Sequence, residues 1–188
     1  VFIIASGTMN RTTDEVTRVR DALGARYAGL FDSVPSHTPR DTVIEISRQA
    51  RDAGTDLIVT FGGGSVTDAG KMLQLCLRHN VTEMNQLDAF RVKVTPDGKR
   101  TVPQYAPPIV RQIAIPTTLS GGELQPQGGC TDTRIKVKHS FRNPYHIPRV
   151  TILDPAPTVH TPLWVWLSTG LRAVDHATEA ICSPIHNP

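Results

Sequence analysis

The sequence is short of cysteine, of long apolar runs and of blocked charge, and each shortage closes off a class of protein. Its three cysteines, Cys76, Cys130 and Cys182, are an odd count set some fifty residues apart with no CxxC pair. That excludes a disulfide framework and a zinc or thiol-exchange motif, and it reads as a reduced, cytoplasmic chain. The longest apolar stretches, 1–5 and 57–59, fall far short of the roughly 20 residues that span a bilayer, so no membrane segment is expected. The opening Val1-Phe2-Ile3-Ile4-Ala5 has no basic lead and no initiator Met, which is not a signal peptide, and a start inside an apolar run reads as missing upstream sequence. Twenty Lys and Arg against 17 Asp and Glu leave a net charge of +3, scattered along the chain and unlike the basic footprint of a nucleic-acid binder. There is no internal repeat. What remains is a globular composition, 39% hydrophobic with 14 Gly over 188 residues, enough for one domain or for one domain and the start of another.

The first half alternates short β-rich runs with longer amphipathic segments. A buried strand is expected at 1–5, a helix at 12–23 with Val16, Val19 and Leu23 on one face, and a short strand at 27–31. After Pro39 a helix is expected over 41–53, then a strand over 56–61, a triple glycine, and a helix over 65–77. Strand, glycine turn and helix in succession is the parallel βαβ rhythm. The pattern weakens between His79 and Val110, where Asp97-Gly98-Lys99 signals a hairpin and Pro107-Pro108 a loop. Strands resume at 112–115 and 150–153, and from Pro162 onward Trp164, Leu167, Leu171, Val174 and Ile181 predict a long buried helix.

Three segments carry chemistry. Gly62-Gly63-Gly64-Ser65 between a strand and a helix lets the backbone approach a ligand without Cβ obstruction, and the helix offers unpaired N–H groups and a positive dipole end to a phosphate. It is neither GxGxxG nor a P-loop, and a tight turn without a ligand stays open. Pro116-Thr117-Thr118-Leu119-Ser120-Gly121-Gly122 also follows a strand; parallel sheets bind ligands beyond the carboxyl ends of their strands, so the two loops are expected to line one crevice, with hydroxyl capping of a turn as the other reading. On a helix, Arg172, His176 and Glu179 share one face, which reads either as a site or as a structural histidine beside a solvated ionic face.

These segments, with Asp154-Pro155 after a strand, stand in an order and spacing that resemble the iron-containing alcohol dehydrogenase superfamily, which shares the dehydroquinate synthase-like fold. The maleylacetate reductases and their fungal relatives are the most similar branch, on Gly29-Leu30-Phe31-Asp32, His37-Thr38-Pro39, Asn143-Pro144 and Pro148-Arg149-Val150. The resemblance implies an α/β fold. A Rossmann-like parallel sheet with helices on both faces would occupy 1–157 as a nucleotide-binding unit, and the truncated start of an all-helical domain 158–188. It implies an NAD or NADP cofactor, with Gly62, Gly63, Gly64 and Ser65 around the pyrophosphate, Asp68 as the acid of GGGSxxD, and Thr117 and Thr118 in contact with it. Lys138 would stand near the phosphates and Ser6 and Thr8 near the adenosine end. The family reaction is hydride transfer between a nicotinamide and a small carbonyl or alcohol.

Two departures shape that expectation. Metal-dependent members read GMDAxxH, whereas this chain reads Gly170-Leu171-Arg172-Ala173-Val174-Asp175-His176. A guanidinium cannot ligate a cation, so no divalent metal is expected. Asp175 does not substitute, because it lies about 100° from His176 around the helix. Metal-free reduction would use Arg172 to hold a substrate carboxylate and His176 to donate a proton. The second departure is length, since the family's helical domain continues far beyond Pro188. The chain is then a fragment, or a shortened homologue that pairs with another chain, with a homo-oligomer as the expected partner state. Other functions stay open: a catalytically silent nucleotide-binding or dimerising homologue, or a non-redox enzyme acting on an anionic substrate. No acidic residue closely follows 1–5 to reject a 2′-phosphate, and Arg11 does not decide the choice between NAD and NADP.

Overall fold

The computed structural model describes residues 1–183; 184–188, the end of the expected second unit, lie outside the described residues. β1 (Phe2–Ala5) is buried at every position, as a strand covered on both faces must be. It leads into α1 (Gly7–Thr12) and α2 (Glu15–Leu23), where one helix from residue 12 was expected. The break is chemical: Thr13 takes an extended conformation, and both its N–H and its hydroxyl donate to the carbonyl of Met9, ending α1. β2 (Gly29–Phe31), α3 (Arg40–Asp52), β3 (Leu57–Gly62) and α4 (Gly64–His79) follow within a residue or two of expectation.

The segment that follows is the excursion expected from the loss of pattern. It holds a small hairpin, β4 (Lys93–Val94) with β5 (Arg100–Thr101), around the Asp97-Gly98 turn. β6 (Arg111–Pro116) rejoins the sheet. β7 (Gln127–Asp132) and β8 (Val137–Arg142) form an antiparallel hairpin that the sequence reading missed. β9 (Val150–Thr151) is shorter than the four residues expected. The sheet is parallel throughout, in the order β2-β1-β3-β6-β9.

Alternation along the strands builds two cores. Phe2, Ile4 and Ile58 meet Ile46 and Ala50 of α3 and Val66, Ala69 and Leu73 of α4 on one face. Ile3, Ala5, Val59, Phe61 and Ile115 meet Met9 of α1 and Val16 of α2 on the other. A third cluster covers the outer side of α4, where Met72, Leu75 and Cys76 pack with Cys130 and Phe141 of the β7–β8 hairpin. α4 is therefore wrapped by sheet and hairpin. It lies tight against the sheet at Gly70, where a Cβ would stand 2.4 Å from Thr60 Cγ2 and 2.7 Å from Gln112 Nε2.

His146, 1% exposed, is pressed down to about 4 by burial and by the nearby Lys71 charge. A folded-state value below the ordinary 6.5 means that the unfolded chain binds the proton first. Stability is thus whole above about pH 6.5 and is lost as pH falls towards 4. Chemical denaturation across that range should show a loss of roughly 3 kcal/mol, absent in His146→Gln.

α5 (Leu163–Cys182) corrects the expectation of a buried helix. None of its residues is buried, and Trp164 and Leu171 are 73% and 70% exposed. Its apolar stripe is real, but among the described residues the contacts reach only its first half. Thr169 Oγ1 accepts the N–H of Leu119 at 3.2 Å, and Gly170 lies against Leu119 Cδ1.

Candidate functional site

The carboxyl ends of β1, β3 and β6 lie side by side. Ser6 N–H donates to Phe61 O and Thr117 N–H to Gly62 O, so the chain leaves all three strands at one level. A cleft of about 1090 Å³ opens beyond them, where a parallel sheet presents its loops to ligands. Ser6 and Thr8 stand on one side, and Gly63, Gly64 and Ser65 form its floor at the start of α4. Thr118 and Ser120 come from the loop after β6, Lys138 from β8, and Arg172 and His176 from α5. Asp68 also reaches the cleft, one turn into α4.

Gly62 and Thr117 do not line it. Gly62 is the last residue of β3, paired with Pro116, and its Cβ would strike Val66 Cγ2 at 2.9 Å. Thr117 is 3% exposed, and its carbonyl accepts the Thr161 hydroxyl at 2.7 Å. Both shape the wall from behind.

The floor is built for close approach. No side chain caps the start of α4, which leaves its first N–H groups without a side-chain partner. A Cβ on Gly63 would come within 3.0 Å of Thr118 Cγ2, and one on Gly64 within 3.0 Å of Ser120 Oγ. Ser65 Oγ accepts the amide of His37 at 3.0 Å, so its own O–H is free to donate. His37 and Thr38 both have left-handed backbones (φ 65° and 52°), and for a β-branched threonine that is a strained conformation. Contacts to Ser65 and Thr131 hold the turn.

The charges are mixed. Burial pushes the Asp68 carboxyl up, and the Lys138 and Lys71 charges oppose this; Lys138 Nζ stands 3.5 Å from Asp68 Oδ2. Arg172 pairs at 2.7 Å with Asp175 on its own helix, instead of with Glu179. Two further charged groups line the cleft. Asp32, directly after β2, accepts a hydrogen bond from Asn10 Nδ2 at 2.9 Å and lies 3.6 Å from Arg11. Its carboxyl is held low chiefly by Asn10. In the sequence Asp32 stands out only as the end of Gly29-Leu30-Phe31-Asp32; its place at the end of a second parallel strand is the signal that marks it as a cleft residue.

Elsewhere, Asp88, Asp132 and His139 bring potential ligand atoms within 4.8 Å of one another. The Arg40 guanidinium already stands among them, 2.9 Å from Asp88, 3.3 Å from Asp132 and 3.0 Å from His139 Nδ1. This cluster is an ion-pair network with its own cation. No helix among the described residues is long and apolar enough to cross a membrane.

Comparison with known proteins agrees with this geometry. A dehydrogenase of Gibberella moniliformis is 34% identical over 96% of this chain and 43% of its own length. The maleylacetate reductase of Rhizobium sp. is 31% identical over 88% of this chain and 38% of its own length. The solved iron-containing alcohol dehydrogenase of Thermococcus thioreducens superposes on the whole chain with a TM-score of 0.82 at 25% identity, over 48% of its own length. The chain thus spans less than half the length of these relatives. The family model for iron-containing alcohol dehydrogenases matches residues 1–155, which include strands β1 to β9 and the glycine loop, and the chain belongs to that family.

Proposed function

We propose that the polypeptide is an NAD(P)-dependent oxidoreductase resembling maleylacetate reductase, working without a divalent metal on a small carbonyl or alcohol substrate that carries a carboxylate. The observation that carries this reading is the uncapped glycine start of α4 in a cleft also lined by the hydroxyls of Thr118 and Ser120, by the Asp68–Lys138 pair and by Arg172 and His176. The residues fit a dinucleotide: Gly63, Gly64 and Ser65 would hold its pyrophosphate, Thr118 and Lys138 would flank it, and Ser6 and Thr8 would meet its adenosine end. The nicotinamide, when bound, supplies the hydride.

The chain's own residues supply the rest. Arg172, released from Asp175, offers a planar fork of N–H donors to a substrate carboxylate. His176, one turn on, donates a proton to the oxygen of the forming alkoxide. The Arg172 guanidinium beside His176 does not fit a cation, so no step uses one. The apolar stripe of α5 would be covered by the remainder of a helical domain or by a second copy. A cytoplasmic setting suits the free cysteines.

Fluorescence titration of the full polypeptide with NADH and NADPH tests the cofactor, and loss of nicotinamide absorbance on adding a keto acid tests the chemistry. Binding without turnover would favour a silent homologue, and no binding of either nucleotide would leave only non-redox chemistry. Arg172→Ala should raise KM for a carboxylate substrate about 30-fold, the loss of one charge-assisted pair; unchanged KM would remove the clamp. Asp32 faces the cleft where a ribose 2′-hydroxyl is expected, so NAD is the preferred form. Asp32→Ser should improve NADPH affinity about tenfold relative to NADH.

A further inference from the structure

Lys71 has no exposed surface, yet it brings a charge into the molecule at the second turn of α4. Its ammonium donates to the carbonyls of Gly122, of Gln125 at 2.8 Å and of Gln127 at 2.8 Å. Those three residues line the cleft and Lys71 does not. The cation therefore stands behind the wall, and the loop is folded around it. Gly128 lies against the same side chain, 3.3 Å from Lys71 Cβ at its own Cβ position, so the start of β7 is registered on it as well.

The orientation has an electrostatic consequence. In a trans peptide the C=O and the following N–H point in opposite directions. Drawing the Gly122 carbonyl inward to Lys71 turns the Glu123 N–H away from it. Three carbonyl dipoles that would otherwise be free to present lone pairs to the cleft are thus committed to its far side. An anion approaching from the α4 start is then spared the repulsion of these three carbonyl oxygens. Burial lowers the Lys71 pKa, and the Asp68 and then the Glu123 carboxylates oppose this; the three carbonyls also solvate the charged form.

We propose that Lys71 is a positioning residue for the anionic ligand of this cleft, setting affinity from behind the wall by holding the carbonyls of Gly122, Gln125 and Gln127 turned away from it. The role rests on the dinucleotide reading above. Lys71→Met removes charge and donors together; Lys71→Gln keeps two donors and is the milder variant should the first fail to fold; Lys71→Arg keeps the charge. Two measurements on the full polypeptide test the proposal. NADH titration should show about a tenfold weaker dissociation constant per folded molecule in the Met or Gln variant, with at least partial recovery in the Arg variant. Amide hydrogen exchange without ligand should accelerate across 121–129 while β3 and β6 stay protected. NADH affinity within twofold of the parent, or unchanged exchange in 121–129, would overturn it and leave Lys71 a stability element only. Failure of the parent to bind either nucleotide would instead refute the cofactor reading, and the exchange result would still decide whether Lys71 shapes the loop.

Discussion

Gly63→Val should weaken dinucleotide binding about a hundredfold while leaving the parallel sheet assembled. At this position the ideal Cβ lies 3.0 Å from Thr118 Cγ2, so a branched side chain would wedge the loop after β3 away from the loop after β6. The backbone of Gly63 (φ −80°, ψ −170°) is open to any residue, so no conformational penalty accompanies the change and its effect is confined to the gap between the loops. Overpacking of this kind costs roughly 1–3 kcal/mol, and a cost near the upper end, borne by the ligand-bound geometry, is about a hundredfold in affinity. Titration with NADH read beside far-UV circular dichroism checks both halves of the expectation. A folded variant that binds as the parent does would show that the two loops do not grip a common ligand.

Arg40→Met should destabilise the fold by about 3–5 kcal/mol, the cost of removing one partner from a buried ionic network. Arg40 has no exposed surface and sits at the start of α3, yet its guanidinium reaches Asp132 at the end of β7, Asp88 in the excursion after α4, the Met84 carbonyl and His139 on β8. It ties together by charge four chain segments, α3, the excursion, β7 and β8, that also meet in the apolar cluster of Val43, Leu87, Cys130 and Phe141. Its loss leaves Asp132, itself 2% exposed on its side chain, with Arg134 as its remaining ion-pair partner. Arg134 and then Arg40 hold the Asp132 carboxyl well below the ordinary carboxylate range against the opposing effect of burial. A depressed folded-state value contributes stability above about pH 4 that is lost as pH falls further. The variant should therefore lose part of the parent's acid sensitivity along with its stability at neutral pH. Urea melts at pH 7 and pH 3 measure both, and a change below 1 kcal/mol at pH 7 would mean that the network is solvated.

The parallel strands and the glycine loop were legible because buried parallel strands are continuous apolar runs: Phe2 to Ala5 and Leu57 to Phe61 announce themselves and punctuate at small residues. The β7–β8 hairpin was not, since Gln127-Gly128-Gly129-Cys130-Thr131-Asp132 has neither β-branched density nor clean alternation. Its inward positions, Gly128, Cys130 and Asp132, are held by α4 and by Arg40, partners that lie far away in sequence. The candidate site followed the same division. The glycine loop, Thr118 and the Arg172–His176 face could be read from local pattern. His37 and Asp32 enter the cleft only because β2 runs parallel beside β1 and delivers its following loop to the same level. Lys71 was hidden for a different reason, since a lysine in a helix reads as solvent-facing until a second layer is known to cover that helix.

The place of β6 in the sheet sets a constraint on how the molecule is made. Its partner β3 ends at Gly62, and β6 begins only at Arg111. At about 5–20 residues per second of synthesis, β3 waits several seconds for the strand that covers its open edge. During that interval the apolar run Leu57 to Phe61 depends on β1 and α4 for cover. Synonymous codon changes that slow translation between Gly62 and Arg111 should therefore lower soluble yield more than the same changes placed after β6.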